Sequence, residues 1–226
     1  IVIFIKLKPV NEHLKIQEKK NAIQHLGKTL STPLYIRGFL STVLLATGGF
    51  MMMPFGSAFG TNNLGLTLDQ LPVLYMVTGI FSIIFGPLIG KFSDRVGKFR
   101  MFAVGTIIAI IMSLIYTNLG ITPLWIIMVL NILLFLGINA RMISASALTS
   151  AIPSPQDRGA YMSINSSIQQ ISGGVASFVA GLLVVQTPSG LLERYDILGY
   201  VVVVSMVVAA IMIWWLDKHL RMKKMV

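Results

Sequence analysis

The sequence predicts an all-α integral membrane protein with six transmembrane helices, and two observations support this fold class. The chain is 55% hydrophobic, with a mean hydropathy of +0.80. Its apolar residues form blocks that can each cross a hydrocarbon core of about 30 Å as a helix of about 20 residues. The blocks lie at residues 38–60, 68–90, 101–118, 123–148, 155–186 and 197–216. Because backbone hydrogen bonds cannot stay open in lipid, and because Val201–Val204 does not alternate as a barrel strand would, we expect helices.

Residues 1–37 precede the first block and contain two different segments. Ile1–Ile5 is apolar but too short to span a membrane, and we interpret it as the end of a preceding transmembrane helix; a cleaved or disordered tail is the alternative. Residues 6–37 are polar and mixed in charge. Four apolar residues recur there at near-helical spacing: Leu14, Ile23, Leu26 and Leu30. They predict either a short amphipathic helix on the inner membrane surface or a solvated linker.

Positive charge is distributed unevenly along the chain and predicts its orientation. Sixteen of the 18 Lys and Arg residues lie before the first block, between the second and third, at the junction of the fourth and fifth, or in a basic tail at 217–226. The three opposite connections contain a single cation, Arg194. The positive-inside rule therefore places both ends of this segment in the cytoplasm. The formal net charge of +10 then reflects attraction to anionic lipid head groups, and no nucleic-acid partner is expected.

Glycine and proline predict where the helices bend. Five such residues interrupt the first block: Gly48, Gly49, Pro54, Gly56 and Gly60. We expect this span to be bent or locally unwound, and we expect Pro87 to kink the second span. The third and sixth blocks are almost wholly apolar and should face lipid, so the other four should build the working surface.

The composition argues against metal and enzyme chemistry. The chain has no cysteine, and its three histidines lie in polar segments without the spacing of metal ligands. No nucleophile–base pair and no pair of intramembrane carboxylates is recognisable in the sequence. We therefore expect no catalytic residue, no metal and no cofactor.

A charged segment, Gly90–Lys98, separates the second and third blocks, and its bracketing glycines predict a tight loop. Read on to Arg100, it resembles the cytoplasmic hairpin motif of the major facilitator superfamily, whose pattern is roughly G-x-x-x-D-R-x-G-R-R/K. The matching residues are Gly90, Asp94, Arg95 and Gly97, with Lys98 in place of the usual arginine. Phe99 replaces a usually basic residue, so one contact of the motif with a phosphate or carboxylate group is in doubt.

The resemblance extends along most of the chain and implies a fold. Pro153–Gly159 resembles a second landmark of the superfamily, and Asn139–Arg141 with Asn165–Gln170 is similar to its sugar- and drug-efflux branch. Members have twelve helices in two six-helix halves around a central cavity, so this chain resembles one half of a twelve-helix major facilitator fold. We interpret it as the C-terminal half, with 6–37 as the loop between the halves. Because the halves are pseudo-symmetric, the N-terminal half is the alternative.

The resemblance also implies a function. It indicates a secondary active transporter that works by alternating access and exports small organic compounds such as drugs or sugars, as an antiporter if protons drive it. Since no Asp or Glu lies inside a block away from its edges, a proton-coupling acid would belong to the missing N-terminal half. The expected partners are the bilayer, that missing half and a small-molecule substrate, in the inner (plasma) membrane of a bacterium. The alternative is a half-size protein that acts as a homodimer or as a membrane partner without transport.

One group of candidate residues is a gating motif. Its members are Gly90, Asp94, Arg95, Gly97 and Lys98. In the family that the motif resembles, the aspartate caps a helix of the other half, and a carboxylate at a helix N-terminus contributes about 0.3–2 kcal/mol. That is enough to bias two conformations of similar free energy. Simple anchoring of these charges at lipid head groups is the alternative.

The fourth and fifth blocks contain the remaining candidates. Polar side chains there should turn to the bundle interior or to a wet cavity, and the candidates for the substrate path are Arg141, Asn139, Asn131, Asn165 and Gln169. Arg141 has an alternative role, in which its side chain extends inward to carbonyls or head groups. The amides of the fifth block also have an alternative role, which is to form hydrogen bonds between helices. Small residues at i, i+4 and i+8 predict a helix-packing face: Gly173, Ser177 and Gly181.

Overall fold

The structure, a computed structural model, describes residues 22–225 and is mostly helical over them. The interpretations of Ile1–Ile5 and of Leu14 fall outside this part of the chain. The elements in chain order are α1 (Ala22–Ser31), α2 (Pro33–Phe50), a 3-10 turn (Met53–Phe55), α3 (Gly56–Asn62), α4 (Gln70–Val96), α5 (Lys98–Thr117), α6 (Leu124–Thr149), α7 (Arg158–Leu183), β1 (Val185–Gln186), β2 (Leu192–Glu193) and α8 (Tyr195–Met225).

Five segments of the described chain are long and apolar enough to cross a membrane. They are Pro33–Asn62, Gln70–Val96, Lys98–Thr117, Leu124–Thr149 and Tyr195–Met222. The sixth predicted span corresponds to α7, whose 26 residues suffice in length for about 39 Å of helix. Its asparagine, glutamine and serine side chains make it more polar than the other five.

The first span is broken, as its glycines and prolines predict. α2 ends at Phe50, a 3-10 turn containing Pro54 follows, and α3 restarts at Gly56. Proline has no N–H to donate, and its ring clashes with the carbonyl four residues earlier, which here is Phe50. The freed Phe50 carbonyl accepts a hydrogen bond from Ser177 Oγ at 3.1 Å. A side chain of α7 thus satisfies the group that the proline exposes.

The charged segment differs from the predicted loop. α4 continues without interruption through Gly90 and the charged residues to Val96, and α5 begins at Lys98. Only Gly97 lies outside the helices, with φ +107°, a backbone conformation that glycine alone adopts readily. The expectation of a glycine-bracketed loop was therefore wrong, because a single residue makes the turn and Gly90 is tolerated inside the helix.

The helices that follow α1 form a row in which each packs mainly against its neighbours. The order is α4, α6, α5, α8, α2, α7, so α5 and α8 occupy the middle and α4 and α7 the two ends. Each middle helix has an exposed apolar side, as expected for contact with lipid, and a buried side that joins the row. Exposed large apolar side chains on α5 include Val104, Ile107, Ile111 and Ile115.

The two ends of the bundle differ in composition. At one end, which we call the basic end, lie the start of α2, the turn at Gly97, the α6–α7 connection and the last turns of α8. An apolar cluster that includes Tyr35, Phe102, Tyr161 and Leu216 holds these parts together. At the opposite end, β1 and β2 form an antiparallel hairpin in which Val185 pairs with Glu193 and Gln186 with Leu192.

The helix ends extend beyond the predicted blocks. α2 begins at Pro33 rather than at residue 38, since proline is well suited to the first turn of a helix. α8 continues to Met225 through the predicted basic tail, where lysine and arginine favour the C-terminal end of a helix dipole. The region of α1 is helical, as one of the two interpretations of residues 6–37 requires, and Leu26 and Leu30 are exposed on it.

Candidate functional site

A polar seam joins α4 to α6, the pair at one end of the row. Three contacts between side chains at 3.2 Å make it: Thr78 with Asn131, Ser82 with Asn139, and Ser93 with Ser144. Polar groups in a bilayer need such partners, since lipid offers none. Two of the predicted substrate-path residues, Asn131 and Asn139, therefore hold α6 to α4.

A second seam joins α2 to α7 at the other end of the row. Three hydrogen bonds make it: Tyr35 Oη to Asp157 Oδ2 at 2.9 Å, Thr42 Oγ1 to Asn165 Oδ1 at 2.7 Å, and Ser177 Oγ to the Phe50 carbonyl at 3.1 Å. In both seams the residue numbers rise together along the two helices. Each seam therefore joins two helices that run in the same direction, so α7 runs parallel to the spanning α2.

The predicted path residues differ in accessibility. Asn131 and Asn165 are buried within the seams, whereas Asn139 and Gln169 are only half-buried. Next to Asn139, a shallow groove opens on the exposed side of α4 and α6, lined by Phe81, Ser82, Phe85, Ile132, Leu136 and Asn139. The rings of Phe81 and Phe85 stack there, with centroids 5.8 Å apart. The groove is small and mostly apolar, and its polar groups are the Asn139 amide and the Ser82 hydroxyl.

Arg141 lies apart from both seams and from the open groove. Its side chain is 3% exposed and extends from α6 into the middle of the row. The guanidinium carbon lies 5.7 Å from the centre of the Phe102 ring on α5, and a Cβ built on Gly48 of α2 would lie 3.9 Å from Nη1. Within the described residues, Nε and Nη2 have no hydrogen-bond partner. No backbone carbonyl of this part of the chain accepts a hydrogen bond from either donor.

The charge of Arg141 is poorly compensated by its surroundings. Removing a charged group from water costs several kcal/mol, while a desolvated cation–π contact returns about 2 kcal/mol. The dipole of α6 helps little, because that effect is confined to about the last turn and Arg141 lies more than two turns before Thr149. Among the described residues, the contacts of the guanidinium therefore do not offset the cost of its burial.

The predicted gating residues lie in the last two turns of α4, at the Gly97 turn and at the start of α5, all at the basic end. Asp94 Oδ1 is 3.5 Å from Lys98 Nζ across the Gly97 turn, and the Asp94 side chain is 73% exposed. Arg95 is exposed as well. An exposed pair at this distance contributes little to stability, so this carboxylate remains available to a partner outside the described residues.

The predicted packing face on α7 meets α2 over part of its length. A Cβ built on Gly173 would lie 2.9 Å from the Phe50 ring, so only glycine lets that ring approach. Ser177 bonds the Phe50 carbonyl. Gly181 is exposed and nothing lies within 4 Å of a Cβ built there, so it takes no part in this contact.

A closer crossing of helices, which the sequence analysis missed, joins α5 to α6. A Cβ built on Gly137 would lie 2.7 Å from the backbone nitrogen of Ala109, and one on Gly105 would lie 2.6 Å from Ala140 Cβ. The two backbones are therefore in direct contact. The signal in the sequence was the small-residue spacing on both helices, Gly105 with Ala109 and Gly137 with Ala140.

The end opposite the basic end is tied together by contacts that the sequence did not reveal. Asn63 bonds both backbone groups of Leu192 in the hairpin, donating to the carbonyl at 2.9 Å and accepting from the N–H at 3.0 Å. Phe59 stacks on Tyr195 with ring centroids 3.9 Å apart. The hairpin therefore fixes α3, the outer piece of the broken span, to the start of α8.

Among the described residues, no group of three His, Asp or Glu is placed to hold a metal ion. Comparison with known proteins adds the family. The sequence profile of the Major Facilitator Superfamily matches residues 38–224, which include the charged turn, nearly all of the long helices and both seams except Tyr35. No curated protein matches the chain. With apolar helices long enough to cross a membrane and a family profile that covers most of its length, this integral membrane protein belongs to the Major Facilitator Superfamily, a family of membrane transporters.

Proposed function

We propose that the chain is the C-terminal six-helix half of a secondary active transporter that works by alternating access. The observation that carries this proposal is the exposure of the two end helices. In the most apolar part of α4 only 17% of the residues are buried, against 44% in the first span. α7 likewise exposes Ile171, Val175, Phe178, Val179 and Leu182. An N-terminal half that packs on both end helices would cover these surfaces.

The direction of the seams supports six spans that alternate in direction. α7 runs parallel to α2, and α6 runs parallel to α4, as the order of the hydrogen-bonded residues shows. If successive spans alternate in direction and α7 is one of the spans, α6 must run parallel to α4 and α7 must run parallel to α2. Its polar side chains are then tolerated because α2 and the proposed other half screen them from lipid.

The groove between α4 and α6 is our proposed part of the substrate path. Asn139, half-buried beside the stacked rings of Phe81 and Phe85, would orient a compound bound there. Gln169, half-buried on α7 at the other end of the row, would line a separate part of the path. Three path candidates are buried: Asn131, Asn165 and Arg141. They would determine the shape of the path by positioning the helices that line it. Efflux of drugs or sugars, proton coupling and a bacterial inner membrane are part of the proposal by family resemblance, with both ends cytoplasmic.

The gate is proposed to use Asp94 and Arg95. The exposed carboxylate at the basic end of α4 would cap a helix of the N-terminal half when the basic end is closed. Opening would break this contact, so the pair would bias the equilibrium between the inward-open and outward-open conformations.

The test is transport by the full-length protein in proteoliposomes, with a panel of labelled drugs and sugars. Asp94→Asn should slow transport by a factor of about 2 to 30, because loss of a charge–dipole contact of about 0.3–2 kcal/mol shifts the conformational equilibrium. The matched control is Asp69→Asn, an exposed acid at the opposite end of the same helix, which should transport normally.

Two results would contradict the proposal. Absence of transport for every compound would favour the membrane partner without transport. An equal effect of the two substitutions would assign Asp94 to head-group anchoring rather than to a gate.

A further inference from the structure

We propose that the exposed side of α5 and α8 binds an anionic phospholipid at the basic end of the bundle, with Arg100 and Lys218 holding its phosphate group. The two helices are neighbours in the middle of the row. α5 begins at the basic end and α8 finishes there, so their exposed sides end at the same level. This site lies apart from the proposed substrate path and gate.

The exposed side of α5 is an apolar stripe that begins with a cation. Arg100 is followed after four, seven and eleven residues by Val104, Ile107 and Ile111, a spacing that keeps side chains on one face of a helix. All four side chains are exposed, and the apolar ones suit the acyl chains of a lipid. Arg100 therefore lies where those chains would join their head group.

The exposed side of α8 has the same arrangement and ends in a cation. Val204, Ile211 and Trp215 are exposed on one face, and Lys218 follows them on that face toward the basic end. Lys218 Nζ lies 5.7 Å from the centre of the ring of Trp214, which is exposed as well. Tryptophan is enriched where the hydrocarbon core meets the head groups. The two indoles thus place Lys218 at head-group level.

A shared apolar cluster sets the two cations at the same depth. Phe99 and Phe102 of α5 pack in this cluster with Leu216 of α8. Arg100 lies between the two phenylalanines in the sequence, and Lys218 lies two residues after the leucine. Since packed helices are about 8–10 Å apart, a head group between α5 and α8 is within reach of both long side chains.

The charges around this surface favour an anionic ligand. Asp217, the acid next to Lys218, pairs with Arg221 at 2.7 Å. Neither Arg100 nor Lys218 forms an ion pair within the part of the chain that the structure describes. An anionic phospholipid complements both features of the surface, because its phosphate meets the two cations and its acyl chains cover the two apolar stripes. A zwitterionic lipid adds a positive group that the same cations repel.

Native mass spectrometry of the purified full-length protein tests this site separately from transport. The protein is mixed in detergent with equal amounts of phosphatidylglycerol and phosphatidylcholine that have the same acyl chains, and the bound lipids are counted. The wild-type protein should retain phosphatidylglycerol in preference. Arg100→Gln and Lys218→Gln should each lower this preference about fivefold, which is the attraction that one cation near a membrane surface provides.

The matched control is Lys91→Gln, since Lys91 is an exposed cation at the same end of the bundle but on α4. This variant should keep the preference, and Lys218→Arg, which retains the charge, should keep most of it. Equal retention of the two lipids by the wild-type protein would overturn the proposal. So would a preference that survives when Arg100→Gln and Lys218→Gln are combined, or that falls as far in Lys91→Gln.

Glycerol 3-phosphate distinguishes a lipid from a soluble phosphate ester. It has a phosphate group but no acyl chains to cover the apolar stripes, so a large excess should leave the bound phosphatidylglycerol in place. Displacement of the lipid by this compound would assign the two cations to a soluble phosphate ester and contradict a lipid site.

Discussion

The middle of the helix row and its two ends are held together by different kinds of contact. In the middle, α5 meets α6 through glycines that bring backbone atoms into contact, and these positions cannot shift without separating the helices. At the ends, α4 and α7 are held through side chains. These contacts are hydrogen bonds, which contribute about 0.6 kcal/mol each in membrane proteins, and the Phe50 ring packed on Gly173. The difference indicates a rigid centre flanked by helices that can adjust to a partner.

The largest effect should come from adding a methyl group to the centre. In Gly137→Ala the new Cβ would lie about 2.7 Å from the backbone nitrogen of Ala109. This clash cannot be relieved by a side-chain rotation, because the contacted atom belongs to the backbone. We expect a loss of about 1–3 kcal/mol of stability, measured as a lower unfolding temperature in detergent.

The control for the centre is Gly79→Ala on α4, where nothing lies within 4 Å of the built Cβ. This change should leave stability unaltered or raise it by up to about 1 kcal/mol, because alanine favours helix more than glycine. If the two substitutions lowered the unfolding temperature equally, the contrast between the centre and the ends would be wrong.

A smaller effect should follow from breaking one contact of a seam. Thr42→Val keeps the shape of the side chain but removes the donor to Asn165 Oδ1, leaving a buried acceptor without its partner. We expect a loss of about 0.6–1.7 kcal/mol. The same measurement on Thr106→Val gives a matched comparison, since Thr106 is also buried and its hydroxyl bonds only the Phe102 carbonyl of its own helix. A larger loss in Thr106→Val than in Thr42→Val would show that the seam contributes nothing.

Much of the fold followed from the sequence because long apolar blocks have few alternatives in a bilayer. The break at Pro54 was predictable for the same kind of reason, since proline acts locally. The helical continuation through Gly90 was not, because whether a glycine ends a helix depends on the residues around it. The polar side chains of α7 are explained by their hydrogen bonds to α2, which the sequence does not show. The hairpin at 185–193 is likewise held by Asn63, a residue far away in the chain.

The candidate site was predictable in part. Polar residues within apolar blocks identified Asn131, Asn139 and Asn165, but their partners are serines and threonines, which are common in membrane helices and usually bond their own backbone. Arg141 was recognisable as unusual. The tight packing around it was not, because α5 approaches α6 at Gly137 through contacts between the two backbones. Only the three-dimensional packing reveals which side chains share a surface.

The exposed faces of the two end helices carry the central claim, and site-directed spin labelling tests it directly. This chain has no cysteine, and any cysteine elsewhere in the full-length protein is first replaced. Single cysteines are then placed on the end helices, at Ile83 (76% exposed) and Phe178 (68%), and on the middle helices, at Ile107 (59%) and Val204 (63%). In the full-length protein in liposomes, collision with oxygen reports lipid contact, and collision with a water-soluble nickel complex reports water.

Labels at Ile107 and Val204 should collide freely with oxygen, as side chains in lipid do. Labels at Ile83 and Phe178 should be protected from oxygen, because the other half or a water-filled cavity covers them. Equal oxygen accessibility at all four positions would place the end helices in lipid and contradict a half-transporter with a missing partner.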